Sequence, residues 1–366
     1  MRSVDDGMGR TRSRLVFAWG AALTVLGAGC PDDGPGAGSA TATNGDSSGS
    51  SSGEVASSTS EGEPPADSGS TTASSTSGPS SGEPTDTTAG EETTAASEDS
   101  TGIPDEPGPD LRELGPYAVE TEGGNAALPG CQMAYDVFTP AGLPDAPVVV
   151  LAHGFQGNRA SMAGWAEHWA SWGVRVVTPN LCHASIIDTD HAQNGADLNA
   201  LVDELAIGPV VYAGHSAGGL AAVVAAAGDD TTVALLGLDM VDNMDLGADS
   251  APGVSAPAFD LVGEPSQCNT TNNGLTVFGA MPQGRALRVA DADHCDFQNP
   301  ADFLCGITCA PGNGEFDDDE IMATIHGLST AVVLWQTGVD ASGAQWWSAG
   351  ETWYDMLAGI GIVQEP

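Results

Sequence analysis

Apolar runs alternate with amphipathic stretches along the chain between residues 147 and 334. Short runs rich in β-branched residues predict buried strands, and Ala-rich stretches with apolar residues at helical spacing predict helices. Strands are expected at 147–151, 174–177, 210–213, 233–238, 258–262 and 287–289, and helices at 160–172, 197–205, 217–227 and 324–334. Such alternation predicts an α/β fold, in which helices cover both faces of a mostly parallel central sheet.

The first thirty residues have the pattern of an export signal. An apolar run over residues 15–29 follows a basic segment and precedes Cys30. A basic segment followed by a short apolar run and small residues is the pattern of a cleavable signal peptide. The run Leu26-Gly27-Ala28-Gly29-Cys30 resembles a bacterial lipobox, whose cysteine carries diacylglycerol. Cys30 is therefore the predicted lipid attachment site. The protein is expected to be exported and held on a bacterial membrane, facing the periplasm or exterior, with plain secretion or an uncleaved anchor as alternatives.

Residues 31–109 form a low-complexity segment that consists almost entirely of Ser, Thr, Gly, Pro, Ala, Asp and Glu, with no aromatic residue and no arginine. It has too little apolar surface to offset the entropy of ordering, which is about 1–2 kcal/mol per residue. The predicted organisation is therefore a signal peptide over 1–30, a disordered acidic spacer over 31–109 and a catalytic domain over 110–366.

The charge of the chain argues against a nucleic-acid partner. Fifty acidic residues against nine arginines and no lysine give a formal net charge of −41, which repels phosphate backbones. The excess of acidic residues could serve calcium binding or reflect a saline habitat. The simpler explanation is a well-solvated, soluble surface. The acidic run 317–320 lacks the spaced ligands of a calcium loop and predicts the start of a helix.

Six cysteines follow Cys30, and they predict disulfides. An even number of cysteines in an exported domain suggests up to three bridges, for which the sequence allows 15 pairings. They are Cys131, Cys182, Cys268, Cys295, Cys305 and Cys309. Zinc binding is the rival interpretation, but a structural zinc site would have paired C-x-x-C ligands. We expect no metal site.

The candidate nucleophile is Ser216, in a Gly-x-Ser-x-Gly motif with Gly214, His215, Ala217 and Gly218. The spacer contains the same pattern three times, at 45–49, 49–53 and 78–82, but none of these copies follows a predicted strand. The copy at Ser216 lies between a predicted strand and a predicted helix, which is the setting of a nucleophile elbow. The small neighbours suit the strained turn that such an elbow makes.

A serine hydroxyl needs a base, and His294 is the candidate. It follows the last predicted strand and lies downstream of both the serine and the acidic candidates, an order that this kind of triad uses. Asp239, Asp242 and Glu264 each follow a predicted strand closely enough to orient the imidazole. The residues by themselves leave the choice among these three acids open.

Two backbone N–H groups are the expected oxyanion donors. Ala217 follows the nucleophile, and Phe155 lies in the His153-Gly154-Phe155 turn after an earlier strand. Each such donor stabilises the transition state by about 2.7–4 kcal/mol. The chemistry requires neither a metal nor an organic cofactor.

The segments 148–155, 170–179, 214–219 and 236–239 and the His294 loop together resemble the α/β-hydrolase superfamily. Within it they are most similar to the branch that contains chlorophyllases and cutinase-like polyester hydrolases. The resemblance covers residues 147–294 and implies serine hydrolysis on an α/β-hydrolase fold. It also implies that Asp239, in a Gly-x-Asp after the strand that follows the elbow helix, is the acid. Glu264 stays the alternative, because polyester hydrolases carry the acid one strand later.

The expected function is hydrolysis of a small-molecule or lipid-like carboxylic ester through an acyl-enzyme. An amidase or a polyester hydrolase with the same triad is an alternative, because the substrate is decided by pocket loops rather than by the triad. A catalytically inactive surface binding protein on the same scaffold is the non-enzymatic alternative.

Overall fold

The structure is a computed structural model that describes residues 107–301, Cys305, Cys309 and 314–366. The predicted signal peptide over 1–30, the lipid attachment site Cys30 and the predicted spacer up to residue 106 lie outside the described residues. Within the described part of the chain, no helix has the length and apolar character that a bilayer span requires.

A nine-stranded sheet forms the centre of the described residues. Its strands are β1 (Val119–Leu128), β2 (Cys131–Pro140), β3 (Val148–Ala152), β4 (Arg175–Pro179), β7 (Val210–His215), β8 (Ala234–Leu238), β9 (Ala258–Val262), β10 (Gly284–Val289) and β11 (Val363–Gln364). A separate small hairpin pairs β5 (Ala184–Ser185) with β6 (Asp188–Thr189). The helices are α1 (Ala163–Ser171), α2 (His191–Leu205), α3 (Ala217–Gly228), α4 (Leu246–Ser250), α5 (Gly274–Ala280), α6 (Asp318–Thr337) and α7 (Thr352–Gly359).

The order of the strands across the large sheet is β1-β2-β4-β3-β7-β8-β9-β10-β11. The neighbours from β4 to β10 pair in parallel, whereas β1, β2 and β11 join the edges in antiparallel register. The prediction of an α/β fold with a mostly parallel central sheet is confirmed. Six neighbouring strands of this sheet, in the order β4-β3-β7-β8-β9-β10, therefore point the same way. The loops that follow them gather along one edge of the sheet.

Side chains alternate between two hydrophobic cores, one on each face of the sheet. On β3, Val149 and Leu151 belong to the core of α1 and α6, while Val148 and Val150 belong to the core of α2 and α3. A strand directs successive side chains to opposite faces, so the continuous apolar runs of the sequence are explained by burial on both sides. The helices therefore cover both faces, as the alternation of the sequence predicts.

Two helices begin earlier than the apolar pattern of the sequence predicts, and side-chain capping sets both starts. Helix α2 begins at His191, six residues before the expected start at residue 197, because Asp190 caps it by accepting from the Gln193 N–H. Helix α6 begins at Asp318, where Asp317 and Glu320 form a reciprocal capping box. The acidic run 317–320 is therefore a helix start, as its charge pattern predicts.

Three disulfides connect the six cysteines of the folded part, which confirms the predicted number of bridges. They join Cys131 to Cys182, Cys268 to Cys309 and Cys295 to Cys305. The first joins the start of β2 to the loop after β4. The other two join Cys309 to the loop after β9 and Cys305 to the loop after β10. The thiolates that the zinc interpretation would need are thus used in covalent bonds.

A stacked pair of histidines lies between α1 and α6. The rings of His168 and His326 are parallel at 4.1 Å, and Trp165 contacts His326 edge-on. Burial, followed by the nearby His168, lowers the pKa of His326 to about 3, and burial also lowers the pKa of His168. Both rings are therefore neutral in the folded protein at neutral pH.

We expect this pair to make the fold sensitive to acid. The unfolded chain binds a proton at each histidine near pH 6.5, whereas folded His326 resists protonation down to about 3, so stability falls as the pH decreases through that interval. Replacing His326 with Gln, whose side-chain oxygen can still accept from the Asn299 amide, should reduce the loss of melting temperature between about pH 7 and about pH 4. An equal loss in wild type and His326→Gln would contradict this assignment.

Candidate active site

Ser216 lies on the sharp turn between the central strand β7 and helix α3. Its φ of +54° and ψ of −123° are a strained conformation for a residue with a side chain. A Cβ at Gly218 would collide with the backbone carbonyls of Ala152 and His153, and one at Gly214 would collide with the backbone of Gly218. The two glycines of the motif are thus required by close backbone packing, which lets the turn hold the serine hydroxyl above the sheet.

His294 lies between Ser216 and a buried carboxylate. Its Nδ1 is 2.6 Å from Asp239 Oδ2, and its Nε2 is 3.0 Å from Ser216 Oγ. Because a carboxylate only accepts, Nδ1 carries the proton, and Nε2 of the neutral ring is left to accept from the serine hydroxyl. The three side chains therefore form one continuous chain of hydrogen bonds, with the basic nitrogen directed at Ser216.

The Asp239 carboxylate is fully buried and oriented by further donors. The backbone N–H of Gly263 donates to Oδ1 at 3.1 Å, and the Asn269 amide donates to Oδ2 at 3.2 Å. Both donors come from the loop after β9, next to the end of β8 that carries Asp239. These bonds satisfy an otherwise isolated buried charge and aim its free lone pairs at His294.

The other two acidic candidates have different partners. Asp242 Oδ1 accepts from the backbone N–H groups of Asn243 at 2.8 Å and Gly247 at 2.7 Å, so it orders the turn before α4. Glu264 Oε1 accepts from the backbone N–H of Asp291 at 3.3 Å and connects two loops. Of the three acids left open by the residues alone, the structure brings Asp239 to His294.

The predicted oxyanion donors lie on the two sides of Ser216. Phe155 belongs to the loop between β3 and α1, and Ala217 is the first residue of α3. Among the described residues, neither N–H donates to a backbone carbonyl or side chain, and both residues line the cleft above Ser216. Two unused backbone donors beside a nucleophile can hold an oxygen that gains negative charge.

The histidines that flank the two motifs orient the loops of the site. His153 donates from Nδ1 to the Gly154 carbonyl and accepts from the Leu181 N–H at Nε2, which fixes the Phe155 loop against the end of β4. His215 donates from Nε2 to the backbone carbonyl of His294 at 3.0 Å. Burial lowers the pKa of His153 to about 4 and that of His215 well below its usual value. Both rings therefore stay neutral, and the tautomers that these bonds need are maintained.

Sequence reasoning missed Asp260, a fully buried carboxyl on β9. It lies beside Gly237 of β8 in the parallel register, and among the described residues no donor makes a well-aligned hydrogen bond to either of its oxygens. Burial, and secondly the nearby Asp239 charge, raise the pKa of Asp260 well above its usual value, although the Met240 N–H opposes the shift. The sequence signal that could have revealed Asp260 is an aspartate inside the apolar run 258–262. It was not singled out because the Ser-acid-His pattern assigns no role to a residue at that position.

Two pockets meet at Ser216. One, of about 340 Å³, contains His294, Gln156 and Gln298 together with Cys268, Cys305 and Cys309 of two disulfides. The other, of about 280 Å³, contains Ala217, Leu220 and Val241 together with Thr189, His191 and Asn243. They share Phe155, Ser216 and Cys268, so both open onto the same hydroxyl.

The comparisons with known proteins add no relative to this picture. No protein-family model matches the chain, and no curated protein matches it either.

The assignment of Asp239 predicts unequal effects of two isosteric substitutions. Asp239→Asn should lower kcat for the ester hydrolysis that the sequence predicts by about 10⁴-fold, because the amide favours the wrong imidazole tautomer and does not stabilise an imidazolium. Glu264→Gln keeps an oxygen for the Asp291 N–H and should change kcat by no more than about twofold. Steady-state kinetics of both variants, with melting temperatures as a folding control, make the comparison. Comparable losses in the two variants would argue against Asp239 as the orienting acid.

Proposed function

We propose that this chain is a serine hydrolase of the α/β-hydrolase fold that cleaves carboxylic esters through an acyl-enzyme intermediate. The observation that carries the proposal is the hydrogen-bond chain from Asp239 through His294 to Ser216, whose two contacts measure 2.6 Å and 3.0 Å. The strained turn between β7 and α3 supports it, because that position suits a nucleophile elbow.

The topology supports the same proposal. Ser216 follows the central strand β7, Asp239 follows β8 and His294 follows β10, so the chain order is serine, acid, histidine, as in α/β-hydrolases. The Phe155 loop follows β3, the neighbour of β7, and provides an oxyanion donor from the side opposite the elbow helix. Loops after four separate parallel strands thus contribute to one site.

In the proposed reaction, the Ser216 hydroxyl attacks the ester carbonyl carbon while its proton passes to His294 Nε2. The Asp239 carboxylate stabilises the imidazolium that forms, and the N–H groups of Phe155 and Ala217 hold the oxyanion. Collapse of the tetrahedral intermediate breaks the bond to the alcohol oxygen, which takes the proton from Nε2 as it leaves. Water then repeats the sequence on the acyl-serine, releases the carboxylic acid and restores the free hydroxyl.

We also propose that the protein is exported and anchored through a lipid on Cys30. The basic and apolar segments before this residue support export, and so do the three disulfides, since such bonds persist in oxidising compartments. The acidic spacer over 31–109 would then separate the hydrolase from the membrane surface.

Ser216→Ala tests the enzymatic proposal directly. Removing the hydroxyl should lower the hydrolysis of p-nitrophenyl acetate by at least about 10⁴-fold, and it should abolish covalent labelling by a fluorophosphonate probe, which reacts with activated serines. Ser161→Ala is the matched control, because Ser161 is a buried serine whose hydroxyl donates to the Asn158 carbonyl instead.

The outcome also decides among the alternatives. A wild-type protein that neither turns over esters nor reacts with the probe would be the inactive binding protein. Labelling without ester turnover would favour an amide substrate, and release of soluble acids from a polyester film would favour the polymer substrate. Retained turnover in Ser216→Ala would overturn the proposed nucleophile.

Lipid attachment has its own test in cells. We expect a bacterium that expresses the full chain to incorporate radiolabelled palmitate into the protein and to retain the protein in its membrane fraction. Cys30→Ala should abolish the label and release the protein from that fraction, because the mutant lacks the acceptor thiol. Membrane retention of unlabelled Cys30→Ala would indicate an uncleaved anchor instead.

A further inference from the structure

The two pockets at Ser216 differ in whether they contain the proposed proton donor. We call them the disulfide lobe, lined by His294, Gln156 and three half-cystines, and the Leu220 lobe, lined by Leu220, Val241 and Asn243. The imidazole of His294 forms part of the wall of the first lobe and is absent from the second. A bound ester, whose carbonyl carbon lies at Ser216, must place its acyl chain in one lobe and its alcohol group in the other.

The position of His294 decides which side goes where. The imidazolium gives its proton to the departing alcohol oxygen, and this transfer requires that oxygen to lie within hydrogen-bond reach of Nε2. The alcohol must therefore extend into the lobe whose wall contains His294. The acyl chain then continues on the other side of the carbonyl carbon, past Ala217 and toward Leu220.

Among the residues that the structure describes, no acidic or arginine side chain lines either lobe. The chain has no lysine, and residues 107–366 contain five arginines, none of which lines either lobe. Burial also lowers the pKa of His191 in the Leu220 lobe and of His215 in the disulfide lobe, so these two rings add no charge at neutral pH. A substrate carboxylate would therefore find no cation to pair with in either lobe.

The charge of the domain acts in the same direction. Residues 107–366 contain 33 acidic residues against five arginines, so this part of the protein repels anions over the range of the Debye length, about 8 Å at physiological ionic strength. An anionic ester would lose affinity on approach and gain no ion pair on binding. The acid released by hydrolysis is itself an anion, so the same field favours its departure.

We propose that the substrate is an uncharged carboxylic ester, whose alcohol group occupies the disulfide lobe and whose acyl group occupies the Leu220 lobe. This inference rests on the proposed ester hydrolysis and specifies the substrate class of the same site. The Leu220 lobe, at about 280 Å³, lies just below the range of about 300–1,000 Å³ that drug-sized ligands occupy. It therefore accommodates a short or medium acyl group.

Two tryptophan substitutions on the full chain test the orientation. Asn243→Trp narrows the Leu220 lobe and Gln156→Trp narrows the disulfide lobe, and both positions are exposed, so the core is untouched. One substrate series varies the acyl group from acetate to octanoate on p-nitrophenol. The other varies the alcohol from methyl to benzyl on acetate, with proton release as the readout. Each variant serves as the matched control of the other.

Asn243→Trp should lower kcat/KM for octanoate relative to acetate by about tenfold and leave the benzyl-to-methyl ratio within about twofold. Gln156→Trp should lower kcat/KM for benzyl acetate relative to methyl acetate by about tenfold and leave the octanoate-to-acetate ratio within about twofold. The opposite pairing, or no change in either ratio, would overturn the assignment of the lobes. Thr189→Trp, on an exposed residue of the Leu220 lobe, repeats the first test if Asn243→Trp does not fold.

A separate experiment tests the requirement for an uncharged substrate. Wild type should hydrolyse p-nitrophenyl hexanoate at least about tenfold more efficiently than the p-nitrophenyl hemiester of adipate, which has a carboxylate at the end of a chain of the same length, too far from the ester for fast intramolecular attack. If wild type hydrolysed the neutral and the charged ester with equal kcat/KM, both at low and at high salt, the requirement for an uncharged acyl group would be contradicted. Failure of wild type on every ester would instead overturn the proposed function, which distinguishes the two kinds of failure.

Discussion

The buried hydrogen bond between Asp239 and His294 is the interaction on which the site depends. It joins residues 55 positions apart in sequence at 2.6 Å, and it satisfies a carboxylate that has no access to water. The Gly263 N–H and the Asn269 amide hold the other side of that carboxylate. The loops after β8, β9 and β10 are therefore fixed to one another through a single buried carboxylate, and removing any one of these donors would leave part of its hydrogen-bonding capacity unused.

A second constraint comes from the backbone around Ser216. The start of α3 packs so closely on the end of β3 that Gly218 touches the carbonyls of Ala152 and His153. Ser216 has its positive φ at the start of this closely packed helix, and the Phe155 loop, which follows β3, lies beside the same start of α3. The elbow and the two candidate oxyanion donors thus depend on the same contact between the β3 end and the β7–α3 turn.

Covalent and electrostatic features of the cleft act together. The Cys295–Cys305 bond begins one residue after His294, and the Cys268–Cys309 bond borders the same pocket, so the walls beside His294 are cross-linked. The protein outside is strongly acidic, whereas the described lining of the cleft has no ionised carboxylate. A cleft whose described lining has no carboxylate and no arginine, in an acidic protein, favours uncharged ligands over anions without any dedicated binding group.

The sequence by itself determined the parallel strands, the two-sided burial, the elbow at Ser216 and the position of His294, because each has a local signature in apolar runs or small residues. It did not predict β1 and β2. Much of β1 is exposed, so its pattern contains no apolar run, and its pairing with β2 decides its structure. The family resemblance favoured Asp239, but the residues themselves left three acids open, and only the tertiary structure brings Asp239 to His294. The pairing of six cysteines and the burial of Asp260 beside Asp239 were likewise decided by tertiary structure. Each depends on distances between segments far apart in the chain, which local residue patterns do not encode.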